Sequence, residues 1–222
     1  MDSATKKLVL QYRPLIFKDE NEPFPIRYIG CTVFRGCGRS RSFPKWVVDP
    51  AAHGLECIIE YAIYYDYDIQ HLYDLEHIWV GVDSDGEVKD CWCSFHGMRL
   101  RAAGVPSFKV QGKHPVLYAQ PGKHAMLPSP ELFGLHPDFD QACSEKAGGG
   151  LLIPGFLEGK LQTNPQLDRK IGQYIRCRYC FAPSNTYVEE CVESDQLIDW
   201  EELLETIPRL VEEQLRIIAA VG

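Results

Sequence analysis

Over roughly the first ninety residues, hydrophobic positions either alternate with polar ones or fuse into short apolar runs, as β-strands do. LVLQYRPLIF is an extended apolar segment broken by Pro14, and it leads to the acidic turn KDENEPFP. RYIGCTVF is a second strand, bounded by Pro25 and by the glycine-rich GCGRSRS loop. ECIIEYAIYYDYD is rich in β-branched and aromatic residues, and HIWVGVD follows it closely. A turn at Ser84, Asp85 and Gly86 then opens EVKDCWCSFHG. Strands so spaced predict an antiparallel meander of the kind found in β-sandwiches.

Between Arg99 and Pro137, short runs such as HPVLYAQ alternate with Pro and Gly. SEKAGGGLLIPGFLEGKLQTNPQ is irregular, and Gly148, Gly149 and Gly150 within it predict a flexible loop or lid. The period then changes. In SDQLIDWEELLETIPRLVEEQLRIIAA the apolar Leu203, Ile207, Leu210, Leu215 and Ile218 fall at helical spacing. Ser194 or Asp195 is the expected N-cap, and Pro208 should kink this helix or divide it in two. No repeat or linker interrupts the chain. The expectation is therefore a mainly β (α+β) fold, one antiparallel β-sandwich domain over residues 1–222 with long loops, in which 194–222 form a helical tail.

Composition narrows the function classes only slightly. Hydrophobic residues make up 45% and charged residues 24%, which excludes a disordered chain. A net charge of -8 argues against a general nucleic-acid binder, which needs a basic footprint. The N-terminus has neither the apolar core nor the cleavage site of a signal peptide, and no apolar run approaches the roughly 20 residues of a membrane helix, so a cytoplasmic protein is expected. The nine cysteines suit a reducing compartment. Cys91 and Cys93 could join Cys177 and Cys180 in a zinc site, and Cys31 could bridge Cys37, but buried free thiols are the simpler expectation. Arg35, Arg39, Arg41 and Lys45 could contact an anion, although a solvated basic loop explains them as well.

The chemistry concentrates in YYDYDIQHLYDLEHIWVGVD, residues 64–83. If residues 69–73 form the loop of a hairpin, Asp68 faces Asp74 and Asp66 faces Glu76, all on one face with His71 at the tip. Like charges opposite each other in a sheet are destabilising, and a bound cation would relieve them. A solvated hairpin face and a proton-sharing acid pair are the competing explanations.

HLYDLEH resembles the His-Asp-Trp-Glu core of the necrosis- and ethylene-inducing toxin-like proteins. It resembles still more the related vacuolar-sorting-associated family, in which Asp-Trp-Glu-His opens a strand. YRPLIFKDENEPFPIRYIG and HPVLYAQPGKHAMLPSP are similar to two further segments of that family, in the same order, and the three together span roughly the first 130 residues. The resemblance implies a β-sandwich that binds a divalent cation through Asp68, His71, Asp74 and Glu76, with His124 near the same pocket. Tyr73 and Leu75 stand where the toxin-like motif has histidine and tryptophan. Three carboxylates and one imidazole suit calcium, magnesium or manganese, and a further histidine would make zinc competitive.

Three functions fit such a site. A binding module would hold a glycan, a phosphate-bearing molecule or a lipid headgroup at the metal, with Tyr65, Tyr67 and His124 contacting the ligand. A metal-dependent hydrolase of an ester or phosphoester would use Asp66 or His124 as general base. A structural metal would only tie the hairpin together.

Overall fold

The computed structural model describes residues 1–136 and 139–221, without the Asp140 side chain. Pro137, which closes the Pro- and Gly-punctuated stretch, and Gly222, the last residue of the helical tail, lie outside the described residues. In chain order the strands are β1 (Leu15–Asp19), β2 (Tyr28–Phe34), β3 (Gly38–Arg39), β4 (Val47–Val48), β5 (Cys57–Tyr67), β6 (Leu72–Val82) and β7 (Val88–Phe95). They continue with β8 (Met98–Arg101), β9 (Lys109–Gln111), β10 (His114–Ala119), β11 (Met126–Leu127), β12 (Tyr187–Glu189) and β13 (Leu197–Asp199). The α-helices are α1 (Ser3–Tyr12), α2 (Phe139–Ala142), α3 (Pro165–Tyr179) and α4 (Trp200–Val221).

The expected meander is present as β5, β6 and β7, paired antiparallel in the middle of a six-stranded sheet ordered β13-β2-β5-β6-β7-β8. A second sheet runs β11-β10-β1-β12, with β9 also on β10, and β3 and β4 form a separate ribbon. Both large sheets are mixed rather than purely antiparallel, because β1 runs parallel to β10 and β13 parallel to β2. The sheets share one apolar core, to which Ile16 and Leu117 contribute from one side and Tyr61, Ile63, Ile78 and Val80 from the other.

Adjacent residues of β5 point to opposite faces, and residues two apart share one. Ile59, Tyr61, Ile63 and Tyr65 face the other sheet, and the Tyr61 hydroxyl donates to Val9 O at 2.8 Å. The opposite set of Ile58, Glu60, Ala62 and Tyr64, with Trp79 and His77 of β6, is covered by α4 and by a strap of residues 40–50. Burial on both faces explains why β5 reads as a nearly continuous apolar run. The strap is held by Ser40 Oγ donating to Glu60 Oε1 at 2.5 Å and by Ser42 Oγ lying 2.5 Å from His77 Nε2. Phe43 and Trp46 meet the Trp79 ring edge to face, with centroids 5.2 and 4.5 Å away. Gly30 in β2 is the seat of α4: a Cβ there would come within 2.7 Å of the Trp200 ring.

Three expectations are corrected. The segment LVLQY is not a strand but the end of α1, whose N-cap Asp2 accepts from the Thr5 backbone NH and whose Val9 and Tyr12 are buried one turn apart. Pro14 lies between that helix and β1, at the break the sequence predicts. The helical tail is a single helix containing Pro208, neither divided nor capped by Ser194 or Asp195. It starts directly after β13, where Asp199 accepts from Glu201 N at 3.0 Å. Finally, Gly148 to Gly150 do not form a free lid. Gly148 N donates to Ile69 O at 2.9 Å, Gly149 N to Gln70 O at 2.6 Å, and Gly150 O accepts from Leu72 N at 2.9 Å, lashing this segment to the hairpin loop.

All nine cysteines are free thiols. Cys91 and Cys93 are buried whereas Cys177 and Cys180 are exposed, so the four do not gather. Among the described residues no helix is long and apolar enough to cross a membrane.

Candidate functional site at the hairpin tip

The hairpin turns earlier than its sequence suggests. Tyr67 pairs with Leu72 and Tyr65 with Asp74, leaving residues 68–71 as the loop. Asp68 sets this geometry: its Oδ1 accepts from Gln70 N at 2.6 Å and from His71 N, closing a side-chain-capped turn. Relative to the expected pairing the register shifts by an odd number of residues, which exchanges the faces. Asp74 and Glu76 therefore share a face with Tyr65 and Ile63, toward the other sheet, while Asp66 points the opposite way. There Asp66 Oδ2 lies 3.0 Å from Arg27 Nε. The expectation that all four acids occupy one face is thus corrected, and Asp66 leaves the site.

Asp68, His71, Asp74 and Glu76 nonetheless line one cleft of about 290 Å³, together with Tyr73, His77, His96 and Lys123. Leu152, Pro154 and Phe156 form its apolar side, and Ser42, Phe43 and Gly97 its far wall. Tyr65, Tyr67 and His124 lie behind the cleft surface rather than on it. Tyr67 is packed among Phe24, Tyr174 and Tyr179 and donates to Gln214 Oε1 at 3.0 Å. Tyr65 stacks flat on His124, with centroids 3.8 Å apart.

Two cations of the protein itself answer most of the negative charge. Lys123 Nζ forms an ion pair with Asp68 Oδ2, and this side chain also donates to Gln70 Oε1 at 3.1 Å. Burial would raise the Asp68 carboxyl, but His71 and Lys123 overcome it and hold it down at about 2. His124, 1% exposed at its side chain, sits between two acids: Nδ1 is 3.0 Å from Asp74 Oδ2, and Nε2 is 3.6 Å from Glu22 Oε1. Burial disfavours a charged imidazole there, yet the carboxylates on either side outweigh it and push His124 up to about 10. Glu22 is fixed in turn by Gly122 N, which donates to its Oε2 at 2.6 Å.

Glu76 is different. Its carboxyl is buried and bonded by Ser94 Oγ, and among the described residues neither lysine nor histidine forms an ion pair with it. Burial, reinforced by Asp74, pushes it well above the ordinary glutamate range, against the opposing pull of Ser94, His124 and Lys123. Among the described residues, no group of three His, Cys, Asp or Glu side chains converges as a metal cage.

Sequence reading found the four cleft residues but missed Glu22, Lys123 and His96. The first two had a signal, since Glu22 sits in the acidic turn KDENEPFP and Lys123 beside the singled-out His124. His96 had less. It adopts φ 49 ahead of a glycine, a turn conformation, and its Nε2 lies 2.8 Å from Gln120 Oε1.

No family model matches the chain and no curated protein does, so the vacuolar-sorting-associated resemblance finds no support there. Similar solved structures do exist. One, described as NLPPya in complex with glucosamine, has a TM-score of 0.39 and 15% identity over 57% of this chain and 67% of the other. Another, NLPPya in complex with mannosamine, has 0.39 and 16% over 57% and 69%. A third, Necrosis and Ethylene inducing Protein 2 from the causal agent of cocoa's Witches Broom disease, has 0.37 and 17% over 69% and 87%. At these values the likeness is a distant one.

Proposed function

We propose that the hairpin cleft is a binding site for a divalent cation and, through it, for a small oxygen-rich ligand such as a glycan hydroxyl or a phosphate headgroup. One observation carries this reading: Glu76 is a buried carboxyl beside Asp74, in a cleft that also presents His71, and among the described residues no side chain forms an ion pair with it. The donor set fits a hard ion, since carboxylate oxygens and one imidazole are the groups that calcium, magnesium and manganese accept. Asp74, Glu76 and His71 line the cleft without converging as a cage, so they would have to draw together to hold it. Asp68 serves the same site from behind, because its ion pair with Lys123 fixes the loop that presents His71. When bound, the ion supplies a positive centre for ligand oxygens.

A binding role is favoured over hydrolysis by the position of the two candidate bases. Asp66 lies on the opposite face, paired with Arg27, and His124 is enclosed between Asp74 and Glu22. Neither lines the cleft.

The test is metal binding by isothermal titration with calcium, magnesium, manganese and zinc, alongside mass spectrometry of the purified protein. We expect one equivalent of a divalent ion for the native chain and at least ~10-fold weaker binding for Glu76→Gln, whose shape is kept while the charge is lost. Equal affinity in the two proteins would overturn the assignment.

A further inference from the structure

The basic residues of the strap separate once their partners are known. Arg35 Nη1 lies 3.5 Å from Glu56, Arg41 Nε lies 2.7 Å from Glu201, and Arg39 donates to Pro44 O at 2.8 Å. Lys45 is left with no acidic partner among the described residues, and so is Arg99 of the edge strand β8. Asp90, the acid whose charge reaches Arg99, is itself held by Arg101, whose Nε donates to both carboxylate oxygens at 2.9 Å.

Lys45 and Arg99 also share a built concavity. Phe43, Lys45, Trp46, Gly97 and Arg99 line a groove of about 450 Å³ beside the hairpin cleft, and Ser42, Phe43 and Gly97 belong to both. The Arg99 guanidinium lies 3.9 Å from the centroid of the Trp46 ring. Trp46 cannot swing freely, because Trp79 meets it at 4.5 Å and 87°, and Trp92 lies at 5.9 Å. A guanidinium stacked on a fixed ring keeps its in-plane N–H groups directed outward, the arrangement that forks onto an oxyanion.

We propose that this groove binds a phosphate monoester, with Arg99 forking onto the phosphate oxygens, Lys45 supplying the second charge, and the organic part lying against Phe43 and the exposed edge of Trp46. Two cations match a dianion better than a single carboxylate. The groove adjoins the cation cleft but shares none of its charged residues.

The experiment is a titration followed by tryptophan fluorescence and calorimetry, in the presence of a chelator. The probes are glucose 6-phosphate, glucose, and phosphatidylcholine vesicles with or without phosphatidic acid. Binding of glucose 6-phosphate, or of the phosphatidic acid vesicles, without binding of glucose or plain vesicles is expected. The first result points to a soluble phosphate ester and the second to a lipid headgroup. Arg99→Gln and Lys45→Gln should each weaken binding by roughly 10-fold or more, the loss of a charge-assisted hydrogen bond. Both side chains are exposed, so unchanged circular dichroism and melting are expected. Glu76→Gln should leave phosphate binding intact even if it removes the metal, which separates this site from the cleft. Failure of both phosphate probes, equal binding of glucose, or undiminished affinity in the Arg99, Lys45 double variant would overturn the proposal.

Discussion

Glu60 offers the sharpest physical test of the structure. It is fully buried in the middle of β5, with Oε1 accepting from Ser40 Oγ at 2.5 Å and from Trp79 Nε1 at 3.0 Å, while Oε2 has no hydrogen-bond partner among the described residues. Burial raises its carboxyl from 4.5 to about 7, and the two hydrogen bonds only partly oppose that rise. In the unfolded chain the group ionises near its ordinary value, so the protonated form is favoured by folding. Its contribution is fully present below about pH 4.5 and is lost as pH rises to about 7. A displacement of this size corresponds to about 3 kcal/mol. In Glu60→Gln the amide oxygen keeps both hydrogen bonds and nothing ionises, while the buried NH2 lacks a partner at a cost of about 1 kcal/mol. The variant should therefore be slightly less stable than the native chain at pH 4.5 and about 2 kcal/mol more stable at pH 8, by urea denaturation across that range. For a chain of this length the change at pH 8 corresponds to a melting rise of roughly 4–8 °C. Other titrating groups cancel in the comparison. A stability difference that stays flat from acid to alkaline pH would refute the buried, unneutralised carboxyl.

Further outcomes follow from single contacts. Lys123→Met leaves Asp68 buried without its cation and should cost about 3–5 kcal/mol in chemical denaturation. Gly30→Ala drives a methyl group to within 2.7 Å of the Trp200 ring and should cost about 1–3 kcal/mol, with loss of near-ultraviolet circular dichroism as α4 lifts from β2. Pro208→Ala restores a backbone donor inside α4 and should raise stability by about 1–3 kcal/mol, read as a higher melting temperature.

The parts legible in the sequence are those governed by near neighbours. Strands β5, β6 and β7 follow one another, and alternation with turn residues between them suffices to place them. The amphipathic stripe Leu203, Ile207, Leu210 and Ile218 is likewise buried as its spacing requires. The hairpin register was not legible, because one side chain decides it: Asp68 accepts the Gln70 and His71 amides and closes the loop early. That choice turns Asp66 away and brings Asp74 to Tyr65. Helix α1 was hidden because its apolar residues are also good strand formers, and only the Asp2 cap and the burial of Val9 and Tyr12 separate the alternatives. The cations answering the acids come from far along the chain. No local pattern announces that Lys123 reaches Asp68 or that His124 lies between Asp74 and Glu22.

The parallel pairing of β13 with β2 has a consequence for synthesis on the ribosome. At about 5–20 residues per second, the 168 positions separating Tyr28 from Leu197, nearest-numbered bounds aside, take roughly 10–30 s to emerge. Throughout that interval the outer hydrogen-bonding rim of β2 is bare and the hollow over Gly30 has no tryptophan to fill it. A nascent or prematurely terminated chain thus displays a sticky border that the finished protein conceals, and chaperone capture should concentrate there.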